Sequence, residues 1–138
     1  MNKLLPRSLK ALAAAMQHPL YVVGGSVRDY LAGCFSASAD WDICSPAAET
    51  EVERAAAVCG MRVTSVYRNT GTVKLTDEEG TGLEFTRFRS DKYVRGLHTP
   101  AEIEFTEDMV RDARRRDFCA NAVYYEIGAD VFRDPLGG

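Results

Sequence analysis

The chain has 138 residues, the length of one ordinary domain; 46% are apolar, and 17 basic against 20 acidic side chains leave a net charge of −3. That is enough for one hydrophobic core, and it argues against a domain that grips nucleic acid by bulk positive charge. Two histidines rule out a histidine-rich metal site, and no apolar run approaches the ~20 residues of a membrane span.

In chain order, residues 4–17 predict an amphipathic helix entered near Pro6. Leu5, Leu9, Leu12 and Met16 form its apolar face, and Pro19 lies beyond its end. The segment LYVVGG predicts a short buried strand ending in glycines. SVRDYLAG predicts a short helix with Ser26 as N-cap and Gly33 as terminator. DWDIC is a strand. SPAAETEVERAAAVCG is a helix capped by Ser45, with Pro46 in its first turn and Gly60 at its end. MRVTSVYR, GTVKLTD and GLEFTRFR are strands separated by turns at 69–71 and 78–82. Residues 90–105 are polar and irregular. TEDMVRDARRRDF predicts a helix capped by Thr106, and AVYYEI and DVFRDP supply a last strand or two. The order is an α+β pattern, not a regular βαβ series. Cys34, Cys44, Cys59 and Cys119 contain no CxxC pair and are expected to be reduced core or near-core thiols of a cytoplasmic protein.

Four segments carry the chemistry. Asp40 and Asp42 lie two apart on a strand and share a face, while Trp41 points the other way. Two carboxylates side by side suit a divalent cation such as Mg²⁺, which completes its shell with water and phosphate; the plain alternative is a solvated strand end. Gly24 and Gly25, where a strand turns into a helix, expose backbone N–H groups to a phosphate, and Arg28 one turn on can reach the same anion. The alternative is an ordinary tight turn. Neither a P-loop nor a dinucleotide fingerprint is present. Glu84 shares a strand face with Thr86 and Phe88. If its strand neighbours that of Asp42, it completes a three-carboxylate cluster of the kind used in two-metal phosphoryl transfer; otherwise it is a strand-end glutamate paired with an arginine. Arg114, Arg115 and Arg116 spread around a helix and cannot all bind one ligand. Asp117 and Asn121 lie four apart on one helical face. An arginine, an aspartate and an asparagine there can hold phosphate and ribose hydroxyls, or simply form a solvated basic helix end.

Taken together, VVGGSVRDYLAG…ADWDI, EFTRFR, RRDFCANAV and DPLGG resemble the class II tRNA nucleotidyltransferase and bacterial poly(A) polymerase family, which includes the CCA-adding enzymes. The resemblance runs from about Leu20 to Gly138, with the motifs in the family's order. It implies a polymerase-β-like nucleotidyltransferase fold, a small mixed sheet with helices packed on one side. The implied reaction is two-metal transfer of nucleotides from CTP and ATP to an RNA 3′ end, most simply CCA addition to tRNA, with release of pyrophosphate. Poly(A) synthesis or a non-catalytic nucleotide-binding module are the alternatives. By resemblance, Gly24, Gly25 and Arg28 hold the triphosphate while Asp29 stabilises the turn. Asp40 and Asp42 bind Mg²⁺, with Glu84 as a further acid. Arg116, Asp117 and Asn121 contact sugar and phosphates, and Arg115 is a second phosphate contact or a packing residue. Residues 90–105 match a loop near the family's active site, and His98 within it has no assigned role. Cys119 and Ala120 replace a hydroxyl and an apolar residue of the family pattern. Residues 1–138 are expected to be a single head domain of a longer enzyme, whose neck, body and tail would select the base and hold most of the tRNA.

Overall fold

The alternation of apolar and polar residues in 40–45, 72–76 and 82–87 builds the centre of a sheet, as period-two patterns require. The computed structural model describes residues 1–34, 40–92, 102–116 and 122–137. A 3₁₀ turn at Asn2–Leu4 precedes α1 (Arg7–Ala15), β1 (Tyr21–Val22), α2 (Gly25–Leu31), β2 (Asp40–Ser45) and α3 (Glu49–Val58). Then come β3 (Arg62–Tyr67), β4 (Thr72–Thr76), β5 (Gly82–Arg87), β6 (Arg89–Lys92), β7 (Glu102–Phe105), α4 (Met109–Arg114), β8 (Tyr124–Glu126) and β9 (Val131–Arg133). The main sheet has seven strands in the order β3-β4-β5-β2-β1-β8-β9. Only β2 and β5 pair in parallel within it, because α3 and the β3–β4 hairpin return the chain to the side of β2.

One sheet face carries Val22, Trp41, Ile43, Val73, Leu75, Leu83, Phe85 and Tyr125. It packs against Leu9 and Leu12 of α1, Val27 of α2, and Val52, Ala55 and Ala56 of α3. All four apolar positions expected of the first helix are buried, although Leu5 and Met16 flank the helix rather than lie in it. The opposite face holds a smaller cluster at one end, where Tyr21, Val23, Cys44, Phe88 and Tyr124 meet Ala113 of α4. Its three rings pack pairwise at 5.8–6.0 Å between centroids. The rest of that face is polar. The expected mixed sheet with helices on one side is therefore present, with the short α4 closing one end of the other side.

Several local expectations shift. Helix α2 starts at Gly25, with Gly24 as N-cap at φ +84°, so Ser26 lies inside the helix and caps nothing. Ser45 ends β2 instead of capping α3: its buried hydroxyl accepts from the Ala47 N–H (3.0 Å), and Ala48 becomes the N-cap. Helix α4 is capped by Asp108, which accepts from the Val110 N–H (2.9 Å), while Thr106 accepts from the Asp108 N–H. The stretch expected to be irregular contains an antiparallel pair, β6 with β7, whose cross-strand partners lie ten to sixteen residues apart; β6 (RSDK) is wholly polar, and only the four residues EIEF of β7 alternate. Among the described cysteines all are free, but only Cys44 is fully buried; Cys59 is half-buried and Cys34 is exposed, away from the core. Cys119 lies outside the described residues. Among the described residues no helix is long and apolar enough to cross a membrane.

Gly71 is the tightest point of the β3–β4 turn. Its φ is +67°, and a Cβ there would stand 2.8 Å from both the Arg87 Cβ and the Phe105 ring. Its carbonyl accepts from the Arg87 N–H (2.9 Å), and the Arg87 guanidinium lies over the Phe105 ring at 4.4 Å. Gly71→Ala is expected to cost about 2 kcal/mol from backbone strain and overpacking, read as a lower Tm in a thermal melt. An unchanged melt would show that neither contact is rigid.

Candidate active site

The parallel register of β2 and β5 sets the acids. Asp40 pairs with Gly82 and Asp42 with Glu84, so all three carboxylates stand on the polar sheet face while Trp41, Leu83 and Phe85 go to the core. Glu84 therefore does neighbour the Asp-x-Asp strand. Desolvation, followed by repulsion from Glu84, holds the Asp42 carboxyl above its ordinary value; Asp40 adds to this and Arg116 opposes it. Among the described residues, no three His, Cys, Asp or Glu side chains converge as a ready-made metal ligand set. The carboxylates are neighbours rather than a closed cage.

The glycine turn lies against these acids. Val23, just past β1, donates its N–H to the Asp42 carbonyl (3.0 Å), which brings the chain end of β1 over β2. A Cβ at Gly24 would stand 3.2 Å from Asp42 Oδ2, so any side chain there would crowd the carboxylate. Arg28 folds back over the turn: its Nη2 lies 3.3 Å from where a Gly25 Cβ would be. Its Nε donates to the Asp29 carboxylate at 3.4 Å, and both side chains are about half exposed. Asp29 thus pairs with Arg28 side chain to side chain. Such an exposed pair is worth under about 1 kcal/mol.

A cleft of about 330 Å³ opens on the polar face, lined by Asp42, Glu84, Thr70, Thr72, Thr86, Arg89, Arg115 and Arg116. Acids from β2 and β5 form one side, and arginines from β6 and the end of α4 form the other. Asp40 faces a neighbouring depression of about 220 Å³ with Lys74 and Glu84. Gly24 lies against Asp42, with Gly25 and Arg28 next to it on α2, and none of the three lines the cleft wall. Asp117 and Asn121 lie outside the described residues, as do His98 and Pro100.

The arginines are anchored by a group that inspection of the sequence did not single out. Asp112 of α4 is completely buried. It accepts from Arg115 Nε, from Arg116 Nε and Nη2, from the Tyr124 hydroxyl and from the Arg89 backbone N–H. Burial pushes the Tyr124 hydroxyl well up, which keeps it a donor. Burial works against the Arg116 charge, but the Asp112 carboxylate beside it and its bond to the Tyr124 oxygen keep it protonated. The spacing of Asp112 to Arg115 and Arg116, three and four residues, is the one sequence signal for this anchor. Thr70, Thr72 and Arg89 give no such signal; Thr72 and Arg89 reach the cleft through strand pairing and Thr70 through the β3–β4 turn.

Residues 20–138 match the family described as the Poly A polymerase head domain. Over 118 residues the chain is 36% identical to a CCA-adding enzyme of Geobacillus kaustophilus, covering 86% of this chain and 27% of that protein. It is 32% identical over 141 aligned positions to a CCA-adding enzyme of Bacillus subtilis, covering 100% of this chain and 33% of the relative. A Bacillus stearothermophilus CCA-adding enzyme in complex with CTP superposes with a TM-score of 0.71 at 26% identity, covering 97% of this chain and 31% of that one. A tRNA nucleotidyltransferase complexed with a primer tRNA and an incoming ATP analog gives a TM-score of 0.66 at 27% identity, covering 94% and 35%. The chain thus spans roughly a quarter to a third of the length of these proteins.

The raised carboxyl of Asp42 has a consequence for stability. In acid, below the ordinary carboxylate range, the group is protonated whether folded or not. As pH rises through its elevated folded value, the unfolded chain ionises more easily and stability falls. Asp42→Asn is therefore expected to melt above the parent protein at neutral pH in chelator, with the gain disappearing in acid. A lower neutral Tm would mean that Arg116 attraction outweighs desolvation and Glu84 repulsion.

Proposed function

Because the chain belongs to the poly A polymerase head-domain family, we propose that it is the nucleotidyltransferase head of a longer enzyme that adds nucleotides from NTP to an RNA 3′ end, with CCA addition to tRNA as its reaction. The observation that carries this reading is the cleft itself. Two in-register carboxylates, Asp42 and Glu84, face Arg115 and Arg116, and a side-chain-free turn at Gly24 abuts Asp42. A metal–triphosphate complex needs both signs of charge at once.

The donor set fits a hard divalent cation. Asp40 and Asp42 would hold Mg²⁺ with oxygen alone; burial, followed by Glu84 and Asp40, raises Asp42, and a cation would relieve the part due to those carboxylates, while the open arrangement leaves ligand positions for phosphate and water. Bound there, Mg²⁺ supplies Lewis-acid stabilisation of phosphoryl oxygens and lowers the pKa of the RNA 3′-hydroxyl. The protein's own groups do the rest. Arg115 and Arg116 direct N–H donors at non-bridging phosphate oxygens. Arg28 exchanges Asp29 for the triphosphate, and Gly24 leaves its backbone open to close approach. The 3′-oxygen, its proton passing to solvent water, then bonds the α-phosphorus in line as the α–β phosphoanhydride bond breaks, and pyrophosphate leaves toward the arginines. Asp117 and Asn121 would meet the ribose and phosphates, with Asp117 at the 2′-hydroxyl favouring NTP over dNTP. The tRNA contacts and base choice would come mainly from the rest of the enzyme.

The full-length gene product, supplied with tRNA lacking its 3′ end, Mg²⁺, CTP and ATP, is expected to add two C residues and one A. A long ATP-only tail would make it a poly(A) polymerase, and Mg²⁺-dependent NTP binding without transfer would make it a binding module. Asp42→Ala should reduce addition to background with the fold intact; retained activity would remove the metal assignment. Arg28→Ala should weaken NTP binding about tenfold, the loss of one charge-assisted contact, measured by titration calorimetry. Unchanged affinity would place the triphosphate elsewhere.

A further inference from the structure

Arg115 and Arg116 are successive residues, and successive side chains on a helix diverge by about 100°. That divergence alone would not aim both at one cleft; what they share is Asp112, three and four residues earlier on the same helical face. Both line the cleft, while Arg114 is exposed. Helix α4 ends at Arg114 and Arg115 is its C-cap, so Arg116 leaves the helical path. What gathers the two guanidiniums is one buried carboxylate. Asp112 Oδ1 takes Arg115 Nε at 3.1 Å and the Arg89 backbone N–H at 3.1 Å; Oδ2 takes Arg116 at 3.1 and 3.3 Å and the Tyr124 hydroxyl at 2.6 Å. We propose that Asp112, braced by Tyr124, is the positioning residue that aims Arg115 and Arg116 at the triphosphate.

This rests on the reading of the cleft as the nucleotide site, and three observations support it. The bonds to Asp112 occupy Arg115 Nε and, on Arg116, Nε and one terminal nitrogen, so each planar guanidinium is oriented while keeping other N–H donors for a ligand. The side chains of both arginines are only slightly exposed, 13% and 15%, so they are held in a wall rather than waving in solvent. The same carboxylate pins the start of β6 through the Arg89 N–H, which joins the two arginine-bearing elements of that wall at one point. The Tyr124 ring is itself locked among Tyr21 and Phe88, and its hydroxyl touches both Asp112 and Arg116. One negative charge between two positive ones also leaves the wall net cationic, as an acceptor of a polyanion requires.

The test is steady-state kinetics on the full-length gene product with Asp112→Asn and Tyr124→Phe, and Arg114→Ala as a surface control. Asparagine keeps an acceptor for Arg115 but removes the charge that holds Arg116. Its expected signature is a KM for NTP raised about tenfold with kcat within about threefold and a native-like fold by circular dichroism. Tyr124→Phe, which keeps the ring, should raise KM about threefold, and Arg114→Ala should leave it unmoved. A folded Asp112→Asn with unchanged KM, whatever its kcat, overturns the proposal, because a purely structural role moves Tm and not KM. If Asp112→Asn does not fold, Tyr124→Phe decides by the same criterion. Unchanged KM in a parent enzyme that loses activity on Asp42→Ala defeats this inference alone. A parent that neither binds nor transfers NTP defeats the site reading as well.

Discussion

The parallel pairing of β2 with β5 decides which side chains meet. A slip of one residue in either strand would send its acids into the core and its apolar side chains to the cleft. The register is held from the helix-covered face, where Trp41, Ile43, Leu83 and Phe85 are all buried. Each such side chain contributes about 1.5–3 kcal/mol by leaving water. That outweighs the repulsion among Asp40, Asp42 and Glu84, which are left on the only face remaining to them. The acids are neighbours because their apolar partners are neighbours.

The cleft then acquires its second wall from a different physical source. Its arginines are not held by apolar burial but by a single buried carboxylate that accepts from both side chains, a tyrosine and a backbone N–H. A charge so deep is tolerated only when fully hydrogen-bonded. The bonding that makes Asp112 tolerable also restrains the groups around it. Acid wall and basic wall are close enough to feel each other: Arg116 lowers the cost of ionising Asp42 while Glu84 raises it. The arrangement is balanced without being neutralised, which suits a ligand that brings both cation and polyanion.

Between the walls and the solvent lies the turn at Gly24. Its left-handed backbone and its closeness to Asp42 both require the absence of a side chain. That requirement explains why the helix after it begins two residues earlier than a Ser26 cap would place it. The chain reverses on glycine geometry, and Ser26 is carried into the first turn as an ordinary helical residue.

Local chemistry was legible along the chain. Period-two spacing put Asp40 and Asp42 on one face and Trp41 on the other. Helical spacing found the buried leucines of α1, the glycines marked the tight turns, and the ordered motifs pointed to the family. Caps were read less well, because Ser45 and Thr106 had competing backbone partners nearby that took their hydroxyls. The β6–β7 pair was missed, since β6 is wholly polar and the four alternating residues of β7 are too short a run to mark a strand by themselves. By itself, then, the sequence determined which residues share a face within each element, because that follows from backbone period alone. Only the tertiary structure decided that Glu84 stands beside Asp42, that Arg115 and Arg116 converge, and that Asp112 is the group that makes them do so. Those are contacts between elements, and they depend on burial summed over the whole sheet.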